Sequence, residues 1–160
     1  MTERLDKLAA ELGRRLQAAR LMLVTAESCT GGWISKIVTD IPESSRWFDR
    51  GFVTYSNVAK QDMLGVSAET LDAYGAVSEE VALQMANGAL GHSLAGVAVA
   101  VTGTAGPGGG TEDKPVGTVC FAWAMDGLGP LTQRVQFAGN RDEVRHQSVR
   151  LALERLLELV

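Results

Sequence analysis

Histidine and cysteine are nearly missing from this sequence, with two of each in 160 residues. Cys29 and Cys120 stand far apart, and neither has a second cysteine at metal-ligand spacing, so a disulfide framework and a zinc site both lack support. Proline is scarce, at 4, and no apolar run approaches the ~18 to 20 residues that a membrane span needs. Positive charge is not in excess either: 15 Lys and Arg face 19 Asp and Glu, net −4, with the signs interspersed. Binding to nucleic acid through its phosphates requires clustered cations, so that class is set aside. The first residues, Met1-Thr2-Glu3-Arg4-Leu5-Asp6-Lys7, are charged where a signal peptide is apolar, which points to the cytoplasm.

What remains is a chain of one domain's length, residues 1–160, with 46% apolar residues and 18 glycines, more glycine than the average of about 7%. Leu5, Leu8, Ala9, Leu12, Leu16 and Ala19 recur at helical spacing over residues 3–20. Leu21 to Ala26 reads as a buried strand, and Gly31-Gly32 leads into a helix that Pro42 stops. Phe52-Val53-Thr54-Tyr55 reads as a second strand, with Asn57 and Ser67 as N-caps of two short helices ending at Gly65 and Gly75. Ser78 with Glu79 and Glu80 opens a helix that ends near Gly91. Val97 to Val101 is a buried strand, Val116–Met125 and Leu131–Phe137 form a hairpin, and Asn140 with Glu143 caps a last helix. This order predicts an α/β fold of three layers, α/β/α, whose sheet is mixed but mostly parallel, with one antiparallel strand.

Ligands of such sheets sit at the carboxyl ends of the strands. The first strand exit is Ala26-Glu27-Ser28-Cys29-Thr30-Gly31-Gly32. A nucleophile there lies beside free N–H groups and the positive end of a helix, an arrangement that stabilises an oxyanion. Ser28 and Cys29 are the rival nucleophiles, and the plainer alternative is a capping hydroxyl with two turn glycines. The base is a histidine, His92 or His146, or else a lysine made neutral by desolvation. Lys60, five residues after Tyr55, stands near another strand exit, where a phenol can relay a proton; the alternative is an exposed lysine on a short helix.

Thr102-Gly103-Thr104-Ala105-Gly106-Pro107-Gly108-Gly109-Gly110-Thr111 is neither a P-loop nor a dinucleotide fingerprint. It brings bare backbone close to a ligand, or else is a flexible connection. Arg141 and Arg145 share one face at the start of the last helix, where the dipole does not favour cations. They face an anion, or they pair with Asp142, Glu143 and Glu154 at the surface.

Together, Ala26-Glu27-Ser28-Cys29-Thr30-Gly31-Gly32, Gly51-Phe52-Val53-Thr54-Tyr55-Ser56-Asn57 with Lys60, Gly75-Ala76-Val77-Ser78, Thr102 to Gly109 and Lys114-Pro115-Val116-Gly117-Thr118-Val119 resemble the CinA C-terminal domain family. The likeness extends to its stand-alone nicotinamide-nucleotide amidohydrolases and covers essentially the whole chain. Thr104 stands where relatives often carry a larger apolar residue.

The resemblance implies hydrolysis of the carboxamide of nicotinamide mononucleotide, a nucleotide substrate, to nicotinate mononucleotide and ammonia in pyridine nucleotide salvage. It implies no metal or other cofactor, and a homodimer or higher homo-oligomer. A serine nucleophile helped by lysine and tyrosine carries over onto Ser28, Lys60 and Tyr55. In the mechanism that follows, Cys29, Thr30 and Gly31 supply N–H groups to the oxyanion. Gly103, Gly106 and Gly109 line the nucleotide, and Arg141 or Arg145 faces its 5′-phosphate. Two rivals remain: another amidase or esterase using the same serine, and a nucleotide-binding module without turnover.

Overall fold

A computed structural model describes residues 2–160. Its elements run α1 (Thr2–Ala19), β1 (Leu23–Glu27), α2 (Trp33–Thr39), a 3₁₀ turn at Ser44–Arg46, β2 (Phe48–Val53), α3 (Asn57–Leu64), α4 (Ala68–Tyr74), α5 (Glu79–Gly91), β3 (Val97–Gly103), β4 (Thr118–Met125), β5 (Leu131–Gln136) and α6 (Arg141–Leu159). The sheet order is β2-β1-β3-β4-β5. β1 pairs parallel with β2 and β3, while β4 is antiparallel to both β3 and β5. Four strands therefore point one way and β4 alone is reversed, as the element order predicted.

Side chains alternate across the strands, and the two faces differ in size. Leu23, Val97, Val99, Val101, Val119, Phe121 and Trp123 face α1, α2 and α6. Val24, Ala26, Ala98, Ala100, Ala122 and Ala124 face α3, α4 and α5. The small residues let α5 lie close to the sheet, and Gly88 lets α3 approach α5. A Cβ at Gly88 would stand 1.9 Å from the Leu64 carbonyl oxygen.

Two expectations need correction. The second strand is Phe48–Val53, not Phe52 to Tyr55. Its Asp49, Arg50 and Gly51 hide the strand pattern because β2 is an edge strand, half-buried and open along one side. The cap of α3 is Ser56, whose side chain accepts from the Ala59 N–H, and Asn57 is the first helical residue. Ser67, Ser78 and Asn140 cap as expected, the last in a full capping box with Glu143. Among the described residues, no helix is long and apolar enough to cross a membrane.

The direction of the chain changes around β1. One connection leads through α2 to β2 on one side of it; the next leads through α3, α4 and α5 to β3 on the other. The gap between β1 and β3 at their carboxyl ends is the switch point where α/β sheets bind ligands. Ser28 follows β1 directly, and the glycine-rich segment follows β3.

Candidate active site

A cleft of about 300 Å³ opens at that switch point, lined by Ser28, Cys29, Tyr55, Lys60, Gly103 and Arg141 among others. It lies at the small end of the ~300 to 1,000 Å³ typical of ligand sites. At its base Lys60 Nζ donates to Ser28 Oγ at 2.9 Å, to the Thr54 carbonyl at 2.8 Å and to the Tyr55 carbonyl at 3.1 Å. Ser28 Oγ in turn lies 3.4 Å from the Tyr55 carbonyl. Lys60 is only 1% exposed, so the reading of it as a surface lysine is overturned. Its position follows from local structure: the Ser56 cap starts α3 right after the chain leaves β2, and the fourth residue of that helix turns inward. Desolvation brings the Lys60 ammonium down to about 8, with a small opposing pull from Cys29.

Tyr55 enters this network through its main chain. Its side chain is exposed, and its hydroxyl accepts a hydrogen bond from Arg141 at 3.5 Å, at the mouth of the cleft. Cys29 is buried beside Ser28, and burial pushes its thiol up to about 12. A thiol so reluctant to ionise is a poor nucleophile near neutral pH. His92 lies on the surface against the Gly88 carbonyl, and His146 packs edge-on against Trp33; neither lines the cleft.

The turn after β1 is held by a residue to which the sequence reading gave no role. Glu27 is fully buried. Its Oε1 accepts from the Thr30 hydroxyl (2.7 Å) and the Ile34 N–H (2.8 Å); its Oε2 accepts from the Ser35 N–H (3.0 Å) and hydroxyl (2.9 Å). The start of α2 is thus occupied by a carboxylate, and its dipole is spent on Glu27 instead of on a ligand. The available signal was an acidic residue ending a buried apolar strand, where a charge demands donors.

The remaining expected site residues divide. Gly103, Gly106 and Gly109 line the cleft, as do Thr104 and Gly108. A Cβ at Gly103 would lie 2.8 Å from the Thr118 carbonyl oxygen, so the loop leaves β3 by a path that only glycine fits. Arg141 also lines the cleft and donates to the Gly106 carbonyl at 2.8 Å. Thr30, Gly31 and Arg145 do not line it. Thr30 is buried on Glu27, and the Gly31 N–H bonds to the Ser28 carbonyl at 3.1 Å. Arg145 reaches under the turn, donating to the Cys29 carbonyl (3.0 Å) and the Thr30 carbonyl (3.2 Å) while its guanidinium stacks 5.5 Å over Trp33. It braces the turn that carries Ser28 instead of facing an anion. Neither arginine pairs with Asp142, Glu143 or Glu154; Glu154 is bound by Arg4 and Arg150.

A model of the CinA C-terminal domain matches residues 5–160. The nicotinamide-nucleotide amidohydrolase PncC of Escherichia coli strain K12 is 53% identical over 152 residues, covering 95% of this chain and 92% of its own. The enzyme of the same name from Pseudomonas putida is 49% identical, covering 95% and 94%. The crystal structure of the competence/damage inducible protein CihA from Agrobacterium tumefaciens superposes with a TM-score of 0.94 at 50% identity, covering 97% of this chain and 94% of its own. With the domain model running over nearly the whole chain and relatives of about half identity matching it end to end, the chain belongs to the CinA C-terminal domain family.

Proposed function

We propose that this protein is a nicotinamide-nucleotide amidohydrolase, converting nicotinamide mononucleotide and water to nicotinate mononucleotide and ammonia in pyridine nucleotide salvage. The observation that carries the chemistry is the 2.9 Å contact between Lys60 Nζ and Ser28 Oγ inside a cleft. The names of relatives at 49–53% identity support the substrate. A single catalytic domain over residues 1–160, cytoplasmic and at least dimeric, belongs to the same reading.

In the reaction, neutral Lys60 takes the Ser28 proton as Oγ attacks the carboxamide carbon. The Ser28 N–H bonds to the Val101 carbonyl and the Gly31 N–H to the Ser28 carbonyl, which leaves the N–H of Cys29, the residue after Ser28 that also lines the cleft, as the oxyanion donor of this turn. The Lys60 ammonium then returns its proton to the leaving nitrogen, the C–N bond breaks and ammonia departs, leaving an ester on Ser28. Water, deprotonated by Lys60, attacks the ester; the C–O bond to Ser28 breaks, the serine regains a proton, and the carboxylate product is released. The Tyr55 and Thr54 carbonyls hold Lys60 in line throughout. The glycine-rich loop borders the nucleotide, and Arg141, on the wall of the cleft, faces its phosphate.

The test is ammonia release from nicotinamide mononucleotide, free nicotinamide and glutamine. The proposal expects turnover of the nucleotide at a kcat/KM at least a hundredfold above the other two. Equal rates on free nicotinamide, or turnover of glutamine alone, would contradict it.

A further inference from the structure

A second cavity, a groove of about 540 Å³, adjoins the cleft and is lined by Ala105, Pro107, Val116, Gly139, Asn140, Arg141 and Asp142. Ala105 and Arg141 belong to both cavities. The groove is mainly apolar, so it suits a flat neutral group and not a second anion; Asp142 on its rim strengthens that preference. Arg141, between the two spaces, is exposed, and its partners, the Gly106 carbonyl and the Tyr55 hydroxyl, are both neutral. Its positive charge is therefore uncompensated by either partner, and a guanidinium keeps N–H donors to spare for phosphate oxygens.

These features run in one order: the reacting group at Ser28 and Lys60, an arginine at the junction, and an apolar groove beyond it. We propose that the groove receives the adenine of a pyridine–adenine dinucleotide, whose nicotinamide end enters the cleft and whose diphosphate lies against Arg141. The mononucleotide fills only the cleft and the Arg141 contact. The dinucleotide adds a planar base, and burying its faces against Pro107, Val116 and Ala105 supplies affinity that the mononucleotide lacks. The site then senses the dinucleotide as a ligand that competes with the mononucleotide, which would restrain deamidation when the dinucleotide is plentiful. This inference rests on the amidohydrolase reading for its nicotinamide end, whereas the groove and Arg141 stand independently of turnover.

The test uses the whole protein with oxidised NAD, AMP and nicotinamide mononucleotide as probes, binding being followed by calorimetry and competition by the formation of nicotinate mononucleotide, because NAD seated with its carboxamide at Ser28 would itself release ammonia. NAD is expected to compete with the mononucleotide and to bind at least tenfold more tightly than AMP. Val116→Asp should weaken NAD at least tenfold while the KM for the mononucleotide stays within twofold. Val116→Ala, which keeps the groove apolar but shallower, should weaken it about threefold and decides the matter if the aspartate variant fails to fold. The inference is overturned if NAD binds no better than AMP, if its inhibition is not competitive, or if both Val116 variants leave its affinity unchanged. Calorimetric binding of NAD with no ammonia from the mononucleotide would instead sink the amidohydrolase reading and spare the groove.

Discussion

An ammonium shut in to 1% exposure between a serine hydroxyl and two carbonyls loses more hydration than three hydrogen bonds return, and the neutral amine gains by comparison. Lys60 consequently titrates near 8 instead of 10.5. The sign for catalysis follows: below about 8 the base is mostly protonated, so kcat/KM should climb about tenfold per pH unit and level off above it. A pH–rate profile that is flat between 6 and 9 would be incompatible with Lys60 as the base. The sign for stability is the same. Below 8 the lysine is charged in both folded and unfolded chains and burial costs its full penalty; that penalty fades as pH rises from 8 toward the unfolded value of 10.5.

Residue by residue, the site was legible where chemistry leaves a type signature. A hydroxyl between a buried strand and a glycine pair and a lone lysine after a strand exit marked Ser28 and Lys60 as candidates, and the shortage of histidine sharpened the second. Burial was not legible. Nothing in the spacing says that Lys60 turns inward onto Ser28 or that Arg145 grips backbone carbonyls, because both depend on chain segments distant in sequence; that the Tyr55 carbonyl and not its phenol meets the lysine depends on how the backbone turns between residues 55 and 60.

At the scale of elements, β1, the turn and α2 form one unit riveted by Glu27. Both carboxylate oxygens accept from N–H groups of α2, so an amide in their place must aim a donor at a donor. Glu27→Gln should therefore cost about 2 kcal/mol of stability and lower kcat more than it raises KM, since it loosens the turn that carries Ser28 and not the glycine-rich loop. Urea unfolding together with steady-state kinetics reads both. An unchanged kcat would show that the turn holds its shape without this carboxylate.

The α3–α5 contact is the second mechanical element. Gly88→Ala gains about 1 kcal/mol of helix propensity, but its methyl would meet the Leu64 carbonyl at 1.9 Å, and overpacking of that kind costs about 1 to 3 kcal/mol or more. The net expectation is destabilisation, with lower activity because α3 carries Lys60. Chemical denaturation that finds the variant as stable as the parent would refute this packing account. The helices themselves were readable from their caps and apolar stripes, since caps are local chemistry. The edge strand was misplaced because Asp49 and Arg50 answer to the loop after α5, accepting from the Leu94 N–H and donating to the His92 carbonyl, and Gly51 answers to close packing on α2 instead of to a strand pattern; a Cβ at Gly51 would stand 2.3 Å from Ser35 Oγ.

For the whole molecule, the order of elements led to the right architecture because un-knotted helical crossovers between parallel strands allow few topologies. The single reversed strand was visible in the hairpin of β4 and β5. The cleft's position at the switch point between β1 and β3 is a consequence of that topology, and it gathers segments around residues 28, 55–60, 103–109 and 141 that are remote in the chain. Shortage of histidine and surplus of glycine meet there: a buried amine, and no imidazole, stands beside the Ser28 hydroxyl, and bare backbone forms part of the wall.

In the proposed reaction Ser28 attacks and Lys60 deprotonates it. Ammonia release from nicotinamide mononucleotide by the parent protein, Ser28→Ala, Lys60→Ala and Cys29→Ser tests it directly. A loss of about a thousandfold or more in kcat is expected for the first two variants, the scale on which a nucleophile or its base is missed, with Cys29→Ser within a fewfold of the parent. A dead Cys29→Ser beside an active Ser28→Ala would contradict it.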